Sequence, residues 1–220
     1  MLSYAARYFP IWQALEERPV TRVLEVGSGA EGLALFWKGP LVAVDLNFRR
    51  RPLARGVIGS TMRLPFELAS FPVVVSCDML EHLPGSLRQR SVLEMARVTR
   101  GRLLLGFPSA DHAWAMYQEL ALRWGKAAPP WLEEHLRYGL PEADEVVGWL
   151  EGAGWQVQAR WYESAGAHLR RLEWERRGPR RVLSYLAARV FGAWWIRRQQ
   201  VEVSLDPLRV LLDAAPADSL

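Results

Sequence analysis

Tyr8, Ile11, Trp12 and Leu15 recur at helical spacing, so residues 3–17 are predicted to form a helix with one apolar stripe, ended by Pro19. Beyond it, stripes give way to runs. Val20 to Val26, Leu41 to Asp45, Gly56 to Ile58, Val73 to Val75 and Arg102 to Phe107 are short, mostly apolar segments that read as strands. Glu31 to Trp37 and residues 87–98 read as helices between them, the second opened by Pro84-Gly85-Ser86. Strands that are apolar on both faces and alternate with helices predict a parallel sheet covered on both sides.

The rhythm changes after Phe107. Residues 111–124 are predicted as an aromatic-rich helix closed by Gly125, and Ala127-Ala128-Pro129-Pro130 as a break. Pro141 opens a helix over 142–152, and Gly154 to Tyr162 alternates like a strand. Residues 168–198 look helical with an interruption at Gly178-Pro179. Gln200 to Leu205 and Leu208 to Leu212 are strand-like pieces about Asp206-Pro207. The fold class expected is a three-layer α/β/α sandwich, Rossmann-like, whose mostly parallel sheet ends in an antiparallel last strand. One domain spans residues 1–220. Segments 108–140 and 164–199, long for connections, are expected to cover a substrate site.

Composition narrows the class. Half of the 220 residues are hydrophobic and 24% are charged, which excludes a disordered or fibrous chain. A single cysteine, Cys77, excludes an intramolecular disulfide framework. No secretory signal or membrane-spanning run is visible, and a cytoplasmic location is the expectation. The net charge is +4, and 26 of the 28 basic residues are arginines. Residues 168–198 alone carry nine arginines against Glu173 and Glu175. The basicity therefore belongs to one late segment and is not spread over a nucleic-acid-binding face.

The strongest chemical signal is Val23-Leu24-Glu25-Val26-Gly27-Ser28-Gly29-Ala30-Glu31-Gly32. A strand runs into a glycine turn and then a helix, which lets backbone approach a ligand closely. Asp45 ends the next strand, placed to accept hydrogen bonds from ribose hydroxyls. The glycines also fit a dinucleotide fingerprint, which leaves a nicotinamide oxidoreductase as one alternative. Glu25 argues against it, because a negative charge beside a pyrophosphate repels it and suits an ammonium or sulfonium cation.

Val23 to Gly32, Val42 to Asp45, Leu64-Pro65-Phe66, Val73 to Pro84 and Leu103 to Pro108 together resemble the successive motifs of the class I S-adenosylmethionine-dependent methyltransferases, closest to the small-molecule, quinone-biosynthesis type. The resemblance covers roughly residues 20–163 and includes the pattern His135-x-x-Tyr138-x-x-Pro141-Glu142. It implies S-adenosylmethionine as cofactor. Glu25 would face the methionine ammonium, and Gly27, Ser28 and Gly29 would pass under methionine and ribose. Asp45 would hold the ribose, Leu46 would lie against the adenine, and Thr61 and Met62 would touch its edge. Cys77 and Asp78 would lie near the sulfonium. Two positions depart from the family pattern: Ser60 and Pro72 stand where acidic residues are usual. They keep a non-catalytic cofactor-binding module open as another alternative.

His82 and His135 are the candidate catalytic residues. His82 is an imidazole poised for general-base work or a turn residue bonded to backbone; His135 touches substrate or pins the cover. Histidines scattered without cysteine or aspartate partners predict no metal site. Six tryptophans in the two long segments favour a small apolar, amphipathic or lipid-like acceptor. Val182 to Ile196, apolar and flanked by arginine pairs, is expected to pack as a lid or dimer surface. Weak membrane-peripheral contact through 180–198 is the other reading.

Overall fold

The computed structural model describes residues 2–176 and 207–217, together with 182, 183, 186 and 190. Helix α1 (Leu2–Glu16) precedes β1 (Val23–Val26), β2 (Leu41–Asp45), β3 (Arg55–Ile58) and β4 (Phe71–Cys77). Then follow α2 (Gly85–Val98), β5 (Thr99–Pro108), α3 (Ala110–Trp124), α4 (Pro130–Tyr138), α5 (Ala143–Gly152), β6 (Trp155–Ser164), α6 (Ala165–Glu175) and β7 (Pro207–Pro216).

The seven strands form one sheet in the order β3-β2-β1-β4-β5-β7-β6. β1, the first strand of the sequence, lies between β2 and β4, parallel to both, with Val23 opposite Leu41 and Val73. β7 runs antiparallel to both of its neighbours, with Leu105 opposite Leu212 and Ala159 opposite Leu212 on the other side. The strand order reverses between β1 and β4. In open α/β sheets, the carboxyl ends at such a reversal form the ligand crevice.

The period of two sorts the strands onto two cores. Leu24 and Val26 join Val74, Leu103 and Leu105 beneath α2 and α5. Val23, Val75 and Leu104 face the other way, packed on Ile11 and Leu15 of α1 and on Phe36. Glu25 alternates with Leu24 and so lands on the α1 face. A third cluster joins α3, α4 and α6 through Met116, Tyr117, Leu120 and Leu132, with Trp131 and Leu172 against it.

Three expectations are corrected. Glu31 to Trp37 is not an α-helix; only Gly32–Leu35 turns, as a 3₁₀ helix. Gly32 has φ 47°, and a Cβ there would lie 2.3 Å from a Glu25 carboxylate oxygen. The carboxylate takes the Leu33 N–H that an ordinary helix start leaves pointing outward. The break expected over Ala127 to Pro130 narrows to Ala128-Pro129, because Pro130 already opens α4: proline suits the first turn, where N–H groups have no helical partner. β5 and β6 are each ten residues long, longer than their apolar runs indicated. The strand expected at 200–205 and most of the helix expected beyond 176 lie outside the described residues.

Candidate functional site

Glu25 is buried. The Tyr8 hydroxyl donates to its Oε1 at 2.7 Å, and the Leu33 N–H donates to both oxygens at 2.9 Å. Burial pushes its carboxyl pKa up to about 7, against the pull of these two donors. The turn that follows is built from backbone. Gly27 N–H donates to the Val44 carbonyl at 2.8 Å, and Gly27 has φ 75°. A side chain at 27 would meet Met79 at 2.5 Å. The Ser28 hydroxyl donates to the Gly29 carbonyl at 2.9 Å and so stiffens the turn.

Asp45 ends β2 with its carboxylate toward that turn. Gly29 N–H donates to Oδ2 at 2.8 Å and Asn47 N–H to Oδ1 at 3.2 Å. Each oxygen keeps a lone pair for a further donor. Leu46 beside it and Ile58 at the end of β3 are 68% and 72% exposed. A flat apolar surface at the strand ends thus adjoins an acidic group, which fits an adenosine. Thr61 and Met62 sit in a tight turn closed by a Ser60–Arg63 bridge, and the Ser60 hydroxyl accepts the Met62 N–H at 3.2 Å. Ser60 therefore holds this turn. Pro72 lies at a register shift of β4, where a missing N–H does no harm. It is about 20 Å of strand from Asp78, at 3.3 Å per residue.

Cys77 is buried and its thiol is pushed up to about 12 by burial, so it stays protonated. Asp78, at φ 55°, is ion-paired with Arg7 of α1 and with Arg209 of β7. Arg209 is 1% exposed and faces Tyr162 and Glu163 as well. Burial tends to raise the Glu163 carboxyl, but His168 and Arg171 outweigh it and hold it below the usual range.

Asp78, Arg7 and Arg209 form the floor of a cavity of about 800 Å³ at the carboxyl ends of the strands. Glu31 lies on its glycine-turn side. Tyr117, Trp131 and Leu172, from α3, α4 and α6, form an aromatic and apolar wall. A larger depression of about 1010 Å³ lies on the α2 side, lined by Arg63, Arg90 and Glu94 among others, away from the glycine turn.

His82 and His135 meet in the first cavity. Their Nε2 atoms are 3.4 Å apart and their rings are edge to face. His82 Nδ1 is 2.7 Å from Glu134 Oε2, so its side chain pairs with a carboxylate and not with backbone, contrary to the turn-residue reading. His135 is buried among Tyr117 and Trp131. Burial, reinforced by neighbouring His82, lowers its pKa to about 3, which keeps it neutral. The histidines are thus not scattered: His82, His135 and His168 line one cavity. Sequence reasoning missed Tyr8, Arg7, Glu81 and Arg209. Tyr8 was legible only as a core residue, and Arg209 sits inside an apolar strand with nothing local to mark it.

Residues 24–104 match the family model of a methyltransferase domain. The whole fold is similar to solved methyltransferase structures. A S-adenosylmethionine-dependent methyltransferase of Thermotoga maritima aligns at 14% identity and TM-score 0.58, over 97% of this chain and 91% of that one. Magnesium protoporphyrin IX methyltransferase of Synechocystis, crystallised with S-adenosylhomocysteine, aligns at 12% identity and TM-score 0.57, over 98% and 84%. A S-adenosylmethionine-dependent methyltransferase of Archaeoglobus fulgidus aligns at 12% and 0.54, over 94% and 93%. No curated protein sequence matches the chain. The sheet order and the glycine turn are those of the fold these methyltransferases share, and the matched segment runs from its first strand into its fifth. The Synechocystis enzyme has also been crystallised with S-adenosylmethionine.

Proposed function

We propose that this methyltransferase acts on a small amphipathic acceptor, with its polar end on the Asp78–Arg7–Arg209 floor and its apolar body beneath α3, α4 and α6. The observation that carries the reading is the two-sided lining of the 800 Å³ cavity: charge below, Tyr117, Trp131 and Leu172 above. A wholly apolar acceptor would set hydrocarbon against the charged side chains of Asp78, Arg7 and Arg209.

The cofactor's place is assigned from the residues. Ionised Glu25 would receive the methionine ammonium, with Gly27, Ser28 and Gly29 beneath the chain and Asp45 on the ribose. Leu46 would lie against the adenine, and Thr61 and Met62 at its edge. Cys77 and Asp78 would adjoin the reacting end. Bound S-adenosylmethionine supplies a methyl group already activated on a sulfonium. The protein's own work is to position the acceptor and to hold or remove its proton. Of the two candidate histidines, His82, held by Glu134 and partly open to the cavity, is the one that faces the acceptor's space. His135 is enclosed and walls the site.

Among the described residues no helix is long and apolar enough to cross a membrane. Val182, Leu183, Leu186 and Val190 are helical and exposed, in a stretch of sequence rich in arginine. This supports weak, salt-sensitive membrane contact of an otherwise cytoplasmic enzyme.

The test is methyl transfer from labelled S-adenosylmethionine to panels of amphipathic aromatic hydroxyl compounds, sugars and peptides. Turnover confined to the first panel, with Trp131→Ala raising KM about tenfold at unchanged cofactor affinity, is the expected result. Turnover confined to sugars or peptides overturns the reading.

A further inference from the structure

We propose that Glu81, His82 and His135 form a binding site for a divalent transition-metal ion of the zinc class, set in the wall of the acceptor cavity. One donor atom from each side chain lies within 4.8 Å of the other two, and all three residues line the cavity. The separation of the two Nε2 atoms, 3.4 Å, matches the edge of a tetrahedron with metal–nitrogen bonds of about 2.0–2.1 Å, which is about 3.3 Å.

Two further observations point to an ion. Glu81 is 1% exposed, and among the described residues its Oε2 has no hydrogen-bond partner. A buried, unpartnered carboxylate oxygen costs free energy that a cation would recover. His82 Nδ1 is held by Glu134 at 2.7 Å, which fixes the proton on Nδ1 and turns the Nε2 lone pair toward His135. A carboxylate behind a histidine in this way is the usual support of a metal-ligating imidazole.

The two imidazoles and one carboxylate form the donor set of catalytic zinc and non-haem ferrous sites, which keep positions open for substrate. One carboxylate and two neutral rings leave a divalent ion with a net charge of +1, suited to an oxygen anion and not to an ammonium. The acceptor class is therefore a hydroxyl compound; this part rests on the reading of the cavity as the acceptor site. The acceptor hydroxyl would place an oxygen lone pair on the ion, and its O–H proton, made more acidic, would leave to solvent. An oxygen pair would then form the new bond to the methyl carbon as the carbon–sulfur bond breaks, its electrons remaining on sulfur. The ion would also tie α4, through His135, to the 3₁₀ turn Leu80–His82 that follows β4.

The experiment titrates Zn²⁺ into chelator-stripped full-length protein by calorimetry, and separately titrates S-adenosylmethionine into the stripped protein. One Zn²⁺ per chain is expected. His82→Ala and Glu81→Gln should each weaken it at least 100-fold and Glu134→Gln about tenfold. Co²⁺ should give a tetrahedral visible spectrum that is lost in His82→Ala. His82 and Glu134 are partly exposed, so these variants keep the fold. Absence of saturable Zn²⁺ binding, or binding unchanged in both His82→Ala and Glu134→Gln, overturns the site. Cofactor binding without Zn²⁺ binding sinks the ion alone; Zn²⁺ binding without cofactor binding sinks the methyltransferase reading alone.

Discussion

The hydroxyl of Tyr8 lies 2.7 Å from Oε1 of Glu25, so a helix ahead of the sheet caps the acidic residue at its centre. The Leu33 N–H holds the same carboxylate from the other side. Between them they fix where negative charge sits before any ligand arrives. Tyr8→Phe should remove one donor, cost about 1–2 kcal/mol of stability in urea unfolding, and weaken S-adenosylmethionine binding in calorimetry.

Glu25 carries a pH signature. Its folded pKa is about 7, above the ordinary 4.5, so the folded state holds the proton more tightly than the unfolded state. Its contribution to stability is therefore full below about 4.5 and is lost as pH rises toward 7, at about 1.4 kcal/mol per pH unit. Relative to wild type, Glu25→Gln should show a flatter decline in melting temperature across that window.

Cofactor affinity should run the opposite way. Pairing with an ammonium requires ionised Glu25, so S-adenosylmethionine should bind more tightly as pH rises through 7, with proton release visible in calorimetry across buffers of different ionisation heat. Glu25→Gln should bind weakly and without that dependence. An unchanged pH profile in the mutant would place the ammonium elsewhere.

Gly32→Ala should be among the most damaging single methyl additions. The new carbon meets the Glu25 carboxylate at 2.3 Å on a residue held at φ 47°. The expected loss is about 2–4 kcal/mol in chemical denaturation. Gly29→Ala meets no atom within 4 Å and should lose only the smaller cost of its left-handed backbone, φ 60°.

Asp45→Ala should weaken cofactor binding by about 2–4 kcal/mol. It should also loosen the turn, because Gly29 and Asn47 lose their acceptor. Asp45→Asn keeps an acceptor for Gly29, so its melting temperature should stay near wild type while affinity falls. A difference in affinity without a difference in stability between the two variants would argue that Asp45 does not brace the turn.

The parts of this fold that the sequence announces are those written by local pattern. β2 falls at its expected residues because an apolar run ends at a charged strand terminus. The glycine turn is legible because glycine is the residue that tolerates φ 75° at Gly27. The helix expected over Glu31 to Trp37 shrinks to a 3₁₀ turn because the Leu33 N–H is taken by Glu25, which lies across the turn and outside that segment. His82 and His135 were legible as separate candidates, yet their contact is set by α4 packing over the turn after β4, which no spacing along the chain encodes. Arg209 meets Asp78 across 131 positions of sequence, and an arginine inside an apolar strand reads locally as an exposed edge residue.

The place of β7 in the sheet sets an order of events during synthesis. Among the described residues β6 pairs with no strand except β7, and β7 is translated after both of the strands it separates. Until residues 207–216 leave the ribosome, β5 presents a bare edge of unpaired backbone and β6 has no neighbour to join. The same late strand delivers Arg209, so until the sheet is closed Asp78 has Arg7 but lacks its second arginine. A nascent chain halted short of β7 would be a target for chaperones and for self-association, and its cavity at the strand ends would lack Arg209.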